Sequence, residues 1–251
     1  MAPPPLLVVE GISKRYGRVQ AVHRVSFHVP PGVAFGLAGP NGAGKTTLLQ
    51  CIVGIRPPTE GRVWVAGREL TQDDIAPRRD LAFVPELPET AGSLTPLDHL
   101  AFVGRVLSVP GWEAEARRLI VAFGISHKSH NLCRTLSKGE QQKVGLMTAL
   151  LRRPRVLLID EPLLGLDPQS VLALKRELAS LLAAGGSAVL SSHVLALIEE
   201  VCPVMGVLSR GRLVFVGSPE GLRALAGQPP GSSLEEAFVR VVAPGGAEVV
   251  G

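Results

Sequence analysis

Cysteines and aromatic residues are scarce in this chain, and its apolar runs are short. The 251 residues include three cysteines, Cys51, Cys133 and Cys202, none of them in a Cys-x-x-Cys pair. This odd, scattered set argues against a disulfide framework, so we expect three small core residues in a reducing compartment. The charge-free stretch 178–198 is broken by two adjacent glycines and by serines. A helix, a turn and a buried strand are therefore expected there, not a membrane span.

Strong charge and a secretory signal are also lacking. Hydrophobic residues make up 46% of the chain and charged residues 19%, with a formal net charge of +4. This composition excludes a disordered chain, and the length suits one α/β domain with room for an inserted subdomain. The small positive charge only weakly favours an anionic partner such as a phosphate ligand or a membrane surface. Because no basic segment precedes the first apolar run, we expect the product to stay in the cytosol.

The hydrophobic pattern alternates between short apolar runs and helical periodicity. The β-rich opening spans 6–35, and further strands are predicted at 34–38, 63–65, 81–84, 156–159, 188–190 and 204–208. Apolar spacings of three and four residues predict helices at 46–53, 97–107, 113–123, 170–184 and 234–242. This order implies a mostly parallel sheet covered by helices, with frayed residues at 244–251.

A glycine-rich loop lies between the strand at 34–38 and the next helix. It comprises Gly39, Pro40, Asn41, Gly42, Ala43, Gly44, Lys45 and Thr46, followed by Thr47. These residues match the pattern G-x-x-x-x-G-K-[S/T] at every fixed position and in the required strand and helix context. Backbone N–H groups would surround phosphates, and the Lys45 ammonium would lie near the β and γ oxygens. The Thr46 hydroxyl is a candidate Mg²⁺ ligand.

Two adjacent carboxylates, Asp160 and Glu161, follow the apolar run 156–159. Open α/β sheets bind ligands at the carboxyl ends of their strands. Asp160 could then hold Mg²⁺, and Glu161 could accept a proton from the water that attacks the γ-phosphate. A solvated acidic pair at a strand end is the alternative, but the phosphate loop makes the catalytic interpretation the better one.

The family becomes visible in the segment Leu136, Ser137, Lys138, Gly139 and Glu140. It resembles the L-S-G-G-Q signature of ATP-binding cassette (ABC) ATPases. In that family the serine and second glycine of one subunit close over ATP held by the phosphate loop of another. The resemblance therefore implies that Ser137 and Gly139 bind ATP across a dimer with two shared sites. A hydroxyl and backbone N–H groups near a helix start suit this contact with an anion.

Four further residues resemble family features in the expected order. Tyr16 resembles the aromatic that stacks on adenine, and Glu86 stands where the family often has a metal-linked glutamine. Asp167 resembles the loop that crosses the dimer interface, and His193 resembles the switch histidine at the γ-phosphate. Taken singly, Tyr16 could be a strand aromatic, His193 a loop histidine and Asp167 a helix cap. Their common order favours the family interpretation.

Three positions depart from the family pattern. Lys138, Glu140 and Glu86 replace a glycine and two glutamines. Such variants resemble those of exporter-type cassettes, which favours export. Glu86 brings a negative charge to the metal region, so its role is open, and we hypothesise that it contacts Mg²⁺ through water.

The resemblance implies an α/β P-loop NTPase fold. A RecA-like core would carry an N-terminal antiparallel β lobe and an α-helical subdomain inserted at about 87–153. We expect residues 1–227 to form this ATPase domain and 228–251 a short C-terminal tail. Two copies, or this chain and a related one, would close around two MgATP. Lys45, Glu161 and His193 would serve hydrolysis, while Thr46, Glu86 and Asp160 would hold the metal.

The implied partner is an integral membrane permease gripped near Glu86, with the chain peripheral on the cytoplasmic face of the membrane. The main alternative is a soluble ABC ATPase that acts on nucleic acid or ribosomes. Relatives of that kind usually carry long coiled coils, zinc-binding cysteines or two cassettes, which this chain lacks, so no nucleic acid partner is expected. A P-loop kinase is a weaker alternative because it would lack the signature and the switch histidine.

Overall fold

The computed structural model describes residues 3–74 and 76–243, which form two sheets and their covering helices. The strands are β1 (Leu7–Tyr16), β2 (Val19–Val29), β3 (Ala34–Ala38), β4 (Glu60–Val65), β5 (Arg68–Glu69), β6 (Leu81–Val84), β7 (Val156–Asp160), β8 (Ser187–Ser192), β9 (Val204–Ser209) and β10 (Arg212–Gly217). The helices are α1 (Lys45–Ile52), α2 (Ala76–Arg79), α3 (Pro96–Val106), α4 (Trp112–Ala122), α5 (Lys138–Leu151), α6 (Pro168–Ala183), α7 (Leu195–Val201), α8 (Pro219–Leu225) and α9 (Leu234–Val242).

The larger sheet has the strand order β10-β9-β3-β8-β7-β6. Its strands are parallel except for β10, which is antiparallel to β9 at one edge. The central strands β3, β7 and β8 are buried along their whole length, as expected for a sheet covered on both faces. The carboxyl ends of the parallel strands therefore meet at one edge, and the loops that follow them share that edge.

The smaller sheet is the predicted N-terminal β lobe. Its order is β2-β1-β4-β5, and the pairs are antiparallel. Apolar residues on its inner face pack with α1 and with Phe35 of the larger sheet, and the Phe27 and Phe35 rings stack with their centroids 4.5 Å apart. The lobe therefore shares a core with the phosphate-loop side of the molecule.

The helices α3, α4 and α5 lie between β6 and β7 in the chain, although these two strands are parallel neighbours. This helical block is the predicted insertion, and Leu100, Leu119 and Phe123 are buried within it. A Cβ added to Gly104 would overlap the ring of Trp112, so α3 and α4 approach closely at this glycine. The α/β class, the β lobe and the helical block are as the sequence predicts.

The stretch 178–198 contains the end of α6, a glycine turn and the buried strand β8, as predicted. Within residues 3–74 and 76–243, no helix is both long and apolar enough to span a bilayer. All three cysteines are buried and free, which confirms their interpretation as core residues.

The C-terminal part has more regular structure than the sequence pattern indicates. The predicted helix at 234–242 is α9, and Leu234, Ala237 and Val241 pack into the same core as the larger sheet. The elements α7, α8 and β10 were not predicted, because runs of six or seven residues show too little periodicity. The predicted fraying at 244–251 falls outside the described residues.

Candidate functional site

The phosphate loop joins the end of β3 at Ala38 to the start of α1 at Lys45. Gly44 precedes the helix with a φ of 105°, a conformation that residues with a Cβ rarely adopt. A Cβ there would also overlap the backbone carbonyl oxygen of Ala21 in β2. Glycine is thus required at this position by both backbone angle and space, and the first turn of α1 faces the loop.

The Lys45 side chain lies inside the loop and is buried. Its Nζ donates a hydrogen bond of 2.7 Å to the carbonyl oxygen of Gly39 and lies 3.9 Å from Glu161 Oε1. A buried ammonium held mainly by one carbonyl and a distant carboxylate can exchange these contacts for stronger ones to a phosphate. The geometry therefore provides a cation where an anion would enter the loop.

Thr46 and Asp160 form the candidate metal site. Thr46 Oγ1 donates a 2.6 Å hydrogen bond to Asp160 Oδ2, and Ser191 Oγ donates to Asp160 Oδ1. Asp160 is 1% exposed, so its carboxylate is oriented by these neighbours. A hydroxyl and a carboxylate fit Mg²⁺, which takes few protein ligands and completes its shell with phosphate oxygens and water. No group of three His, Cys, Asp or Glu residues suited to a metal occurs in the described chain, which agrees with a site that phosphate oxygens and water would complete.

Glu161 and His193 meet beside Lys45. Glu161 Oε2 lies 2.8 Å from His193 Nδ1, while Oε1 of the same carboxylate points toward Lys45. Glu161 has a φ of 50°, the left-handed region that a residue with a side chain occupies only when its surroundings hold it there. The structure therefore brings together Lys45, Thr46, Asp160, Glu161 and His193, all predicted from separate parts of the sequence.

A cavity of about 460 Å³ opens at this edge of the sheet. Its predicted lining residues are Pro40, Asn41, Gly42, Ala43, Gly44, Lys45, Thr46, Thr47, Glu86, Asp160 and Glu161. Five lining residues were not predicted, namely Val19, Gln20, Ala21, Arg210 and Gly211. Gly211 between two apolar runs is a turn signal, but only the strand order places that turn at the cavity.

Tyr16 lies at the end of β1, before the turn into β2, and is not among the described residues that line the cavity. The residue is 39% exposed. Lys14 Nζ and the Arg56 guanidinium lie 5.3 and 5.7 Å from the ring centroid, as cation–π partners do. The structure thus gives Tyr16 an accessible ring with cationic neighbours.

Ser137 and Gly139 also lie apart from that lining, at the start of α5. Ser137 caps the helix, and the Glu140 side chain accepts a 2.8 Å hydrogen bond from the Ser137 N–H, which completes a capping box. A Cβ at Gly139 would overlap the carbonyl oxygen of Gly165, so the turn is packed against the segment that follows Glu161.

Asp167 links the segment that follows Glu161 to α5. Its side chain caps α6 through the Ser170 N–H, as one sequence interpretation expected, and accepts a 2.5 Å hydrogen bond from Lys143 Nζ. The hydrogen bond from Lys143, helped by that from the Ser170 backbone, lowers the pKa of Asp167 to about 2. The turn around Ser137 is therefore fixed to the segment 161–167 by both a close backbone contact and an ion pair.

Comparison with known proteins agrees with this geometry. The family model described as ABC transporter matches residues 22–164, and one described as AAA domain, putative AbiEii toxin, Type IV TA system matches 132–199. Nod factor export ATP-binding protein I of Ralstonia nicotianae is 34% identical over 87% of this chain and 68% of its own length. Methionine import ATP-binding protein MetN of Symbiobacterium thermophilum is 33% identical over 93% of this chain and 72% of its own.

A solved structure described as the ATP binding subunit of an ABC transporter superposes with a TM-score of 0.86. It is 33% identical and the match covers 93% of this chain and 98% of the other. The fold and the loop around Lys45 define a P-loop nucleotide-binding protein. Within that class, the chain belongs to the ABC transporter family, as an ATP-binding subunit that hydrolyses ATP. These transport relatives give no support to the alternative of an ATPase acting on nucleic acid or ribosomes.

Proposed function

We propose that two cassettes, either two copies of this chain or this chain and a related one, close around two MgATP and drive export through a separate membrane subunit. The observation that carries the proposal is the division of the site within one chain. Phosphate, metal and base groups line one cavity, while the signature residues Ser137 and Gly139 lie outside its lining. A neighbouring cassette would supply those contacts and complete the site.

Each residue in the cavity has a task that follows from its position. The N–H groups of the loop and the Lys45 ammonium would bind the phosphates. Thr46 and Asp160, with Glu86 through water, would hold Mg²⁺, which neutralises charge on the phosphate oxygens. Glu161 would accept the proton of the attacking water, and His193, whose Nδ1 lies 2.8 Å from Glu161 Oε2, would orient that carboxylate and offer a donor to the γ-phosphate.

The proposal is tested with Glu161→Gln, which removes the base but keeps the side-chain volume. We expect turnover to fall at least about a hundredfold while ATP binding remains, because general-base catalysis contributes on that scale. The closed pair should then persist and be visible as a dimer by size-exclusion chromatography with ATP. The control is Glu89→Gln, which makes the same substitution at an exposed carboxylate outside this cavity. Hydrolysis by Glu161→Gln at the parent rate would disprove the base assignment.

Export is favoured by the three departures from the family pattern, at Glu86, Lys138 and Glu140. The relatives themselves include both directions, since one is named for Nod factor export and another for methionine import. Transport assays with inverted vesicles that contain the chain and its permease would decide the direction. Accumulation of substrate inside these vesicles corresponds to export, and ATP-driven loss of substrate from them would overturn the proposal.

A groove beside Glu86 is the candidate docking site for the membrane subunit at the cytoplasmic face. Its cavity of about 690 Å³ lies between the larger sheet and the helical block, and Ile55 and Leu87 present exposed apolar side chains in its wall. The buried Arg78 Nε has no hydrogen-bond partner within the described chain. Burial lowers the pKa of Arg152, and among the described residues its guanidinium donates only to the Arg78 carbonyl oxygen.

Two arginines with so few acceptors favour a carboxylate ligand. The occupant we propose is a short amphipathic helix of the membrane subunit, with apolar residues for the walls and an acidic side chain for Arg78 and Arg152. Glu89 at the rim is exposed and makes no ion pair with a described residue, so the arginines are left for the partner. Charge complementarity of this kind selects partners.

Purification in mild detergent tests this docking site. We expect the parent chain to bring along an integral membrane protein, and Arg78→Glu to lose it. Arg79→Glu is the matched control, since Arg79 is exposed and does not line the groove. Melting temperatures would check that both variants fold. Equal recovery of the membrane protein with both variants would remove the groove from the proposal.

A further inference from the structure

The two-residue turn between β9 and β10 contributes a cation to the nucleotide cavity. Ser209 pairs with Arg212, so Arg210 and Gly211 form the turn, with φ values of 48° and 77°. Turns of this kind favour Asn-Gly, because the first position is strained for a residue with a longer side chain. Arg210 is exposed, lines the cavity and forms no ion pair with any described residue.

This turn is fixed to the phosphate loop through its glycine. The Gly211 N–H donates a 2.9 Å hydrogen bond to the carbonyl oxygen of Ala43, and the Gly211 carbonyl accepts one of 2.7 Å from the His23 N–H. A Cβ at Gly211 would lie 2.7 Å from the Ala21 carbonyl oxygen. The backbone of Arg210 therefore has a defined position relative to the residues that bind phosphate, even though its side chain is solvated.

The strand order decides which end of a nucleotide Arg210 can reach. In the larger sheet, β9 lies on one side of β3, while β8 and β7 lie on the other. Glu161 and His193 follow β7 and β8, so they approach the loop from the side opposite to the turn after β9. If the γ-phosphate lies beside Glu161, the cation of Arg210 is available to the opposite end of the polyphosphate.

We propose that Arg210 binds the α-phosphate of the nucleotide and so acts as a binding residue outside the sequence motifs. The inference deepens the proposed nucleotide site and rests on it. The α-phosphate is present in substrate, transition state and product alike. An interaction of this kind strengthens binding in all three states equally and therefore changes KM, not kcat. Its strength should fall with salt, since the guanidinium is exposed.

The test compares Arg210→Gln and Arg210→Lys with Arg212→Gln. Arg212 is also exposed and lies two residues away, but it does not line the cavity. We expect Arg210→Gln to weaken the binding of ADP and of a nonhydrolysable ATP analogue by the same factor, about three- to tenfold, as loss of one exposed cation–phosphate contact implies. KM for ATP should rise similarly at unchanged kcat, Arg210→Lys should recover most of the affinity, and Arg212→Gln should match the parent.

The outcomes separate this inference from the nucleotide site itself. If Arg210→Gln binds both nucleotides as tightly as Arg212→Gln does, Arg210 is a solvated turn residue and the inference is wrong. A loss of affinity for the ATP analogue alone would also overturn it, because the contact would then involve the γ-phosphate. If the parent chain binds no nucleotide, or binds it unchanged after Lys45→Ala, the nucleotide site itself has failed.

Discussion

The cavity around Lys45 and the turn around Ser137 differ in how their polar groups are satisfied. In the cavity, side chains from three parts of the chain contact one another across the sheet edge, including Thr46 with Asp160 and Glu161 with His193. At the turn, Ser137 is exposed, and its hydroxyl accepts a 3.3 Å hydrogen bond from the Glu140 N–H of its own helix. The first region is assembled by tertiary contacts, whereas the second is a local helix start.

Under the proposed function, this difference would explain how one cassette could hold nucleotide and still need a partner. The cavity supplies groups for the phosphates and the proton transfer within one chain. The turn presents a hydroxyl and N–H groups on the surface, held in place by the close contact of Gly139 with Gly165. A preorganised surface of this kind loses little side-chain freedom when it closes on an anion, so its binding energy is available for closure.

The largest expected effect is a loss of nucleotide binding when the cavity around Lys45 is changed. Lys45→Ala leaves Glu161 without its ammonium neighbour and removes the cation expected at the β- and γ-phosphates. We expect binding of MgATP to weaken at least about a hundredfold, the scale of a buried charged contact, and hydrolysis to be lost. Isothermal titration calorimetry measures the first effect. Unchanged affinity would mean that nucleotide does not bind in this loop.

A smaller effect is expected at the signature turn. Ser137→Ala should cost about 1 kcal/mol of stability through the lost cap, leave ATP binding by the single chain unchanged, and reduce ATP hydrolysis. Ser233→Ala is the matched control, because Ser233 caps α9 through the Glu236 N–H and lies far from both regions in the sequence. The control should lose comparable stability and keep the parent rate. If the two variants hydrolyse ATP at the same rate, Ser137 acts only as a helix cap.

The smallest effect concerns the ion pair that joins the two regions. The pKa of Asp167 is lowered from 3.8 to about 2 by the hydrogen bond from Lys143. A lowered folded-state pKa stabilises the fold above the unfolded pKa, and this contribution is lost as the pH falls from about 4 toward 2. Asp167→Asn keeps a good cap but loses the charge. Its melting temperature should lie slightly below that of the parent at pH 7 and approach it near pH 2, because an ion pair half open to solvent contributes only about 0–1 kcal/mol.

A difference in melting temperature that stays constant between pH 7 and pH 2 would contradict this account of the ion pair. It would show that Asp167 stabilises the protein only as a cap, which asparagine can replace in part. The link between α5 and the segment after Glu161 would then depend on the contact of Gly139 with Gly165 alone.

Local motifs predicted most of the residues that the structure brings together around the cavity. The phosphate loop, the acidic pair after β7 and the helix start at Ser137 each depend on neighbouring residues, so a short segment carries the signal. The loop requires glycine at Gly44 for a left-handed backbone, and the cap requires a small hydroxyl residue before Glu140. By contrast, Arg210 and Gln20 were missed because neither belongs to a motif that points toward phosphate.

The amino-acid sequence by itself determined the family, the α/β class and the candidate residues for nucleotide binding, because local backbone conformation and short-range capping require those residue types. Only the tertiary structure decided that Glu161 lies between Lys45 and His193, that Arg210 faces the same cavity, and that Asp167 pairs with Lys143. Such contacts depend on strand order and on packing between distant segments. No spacing along the chain encodes those distances, since each results from the fold as a whole.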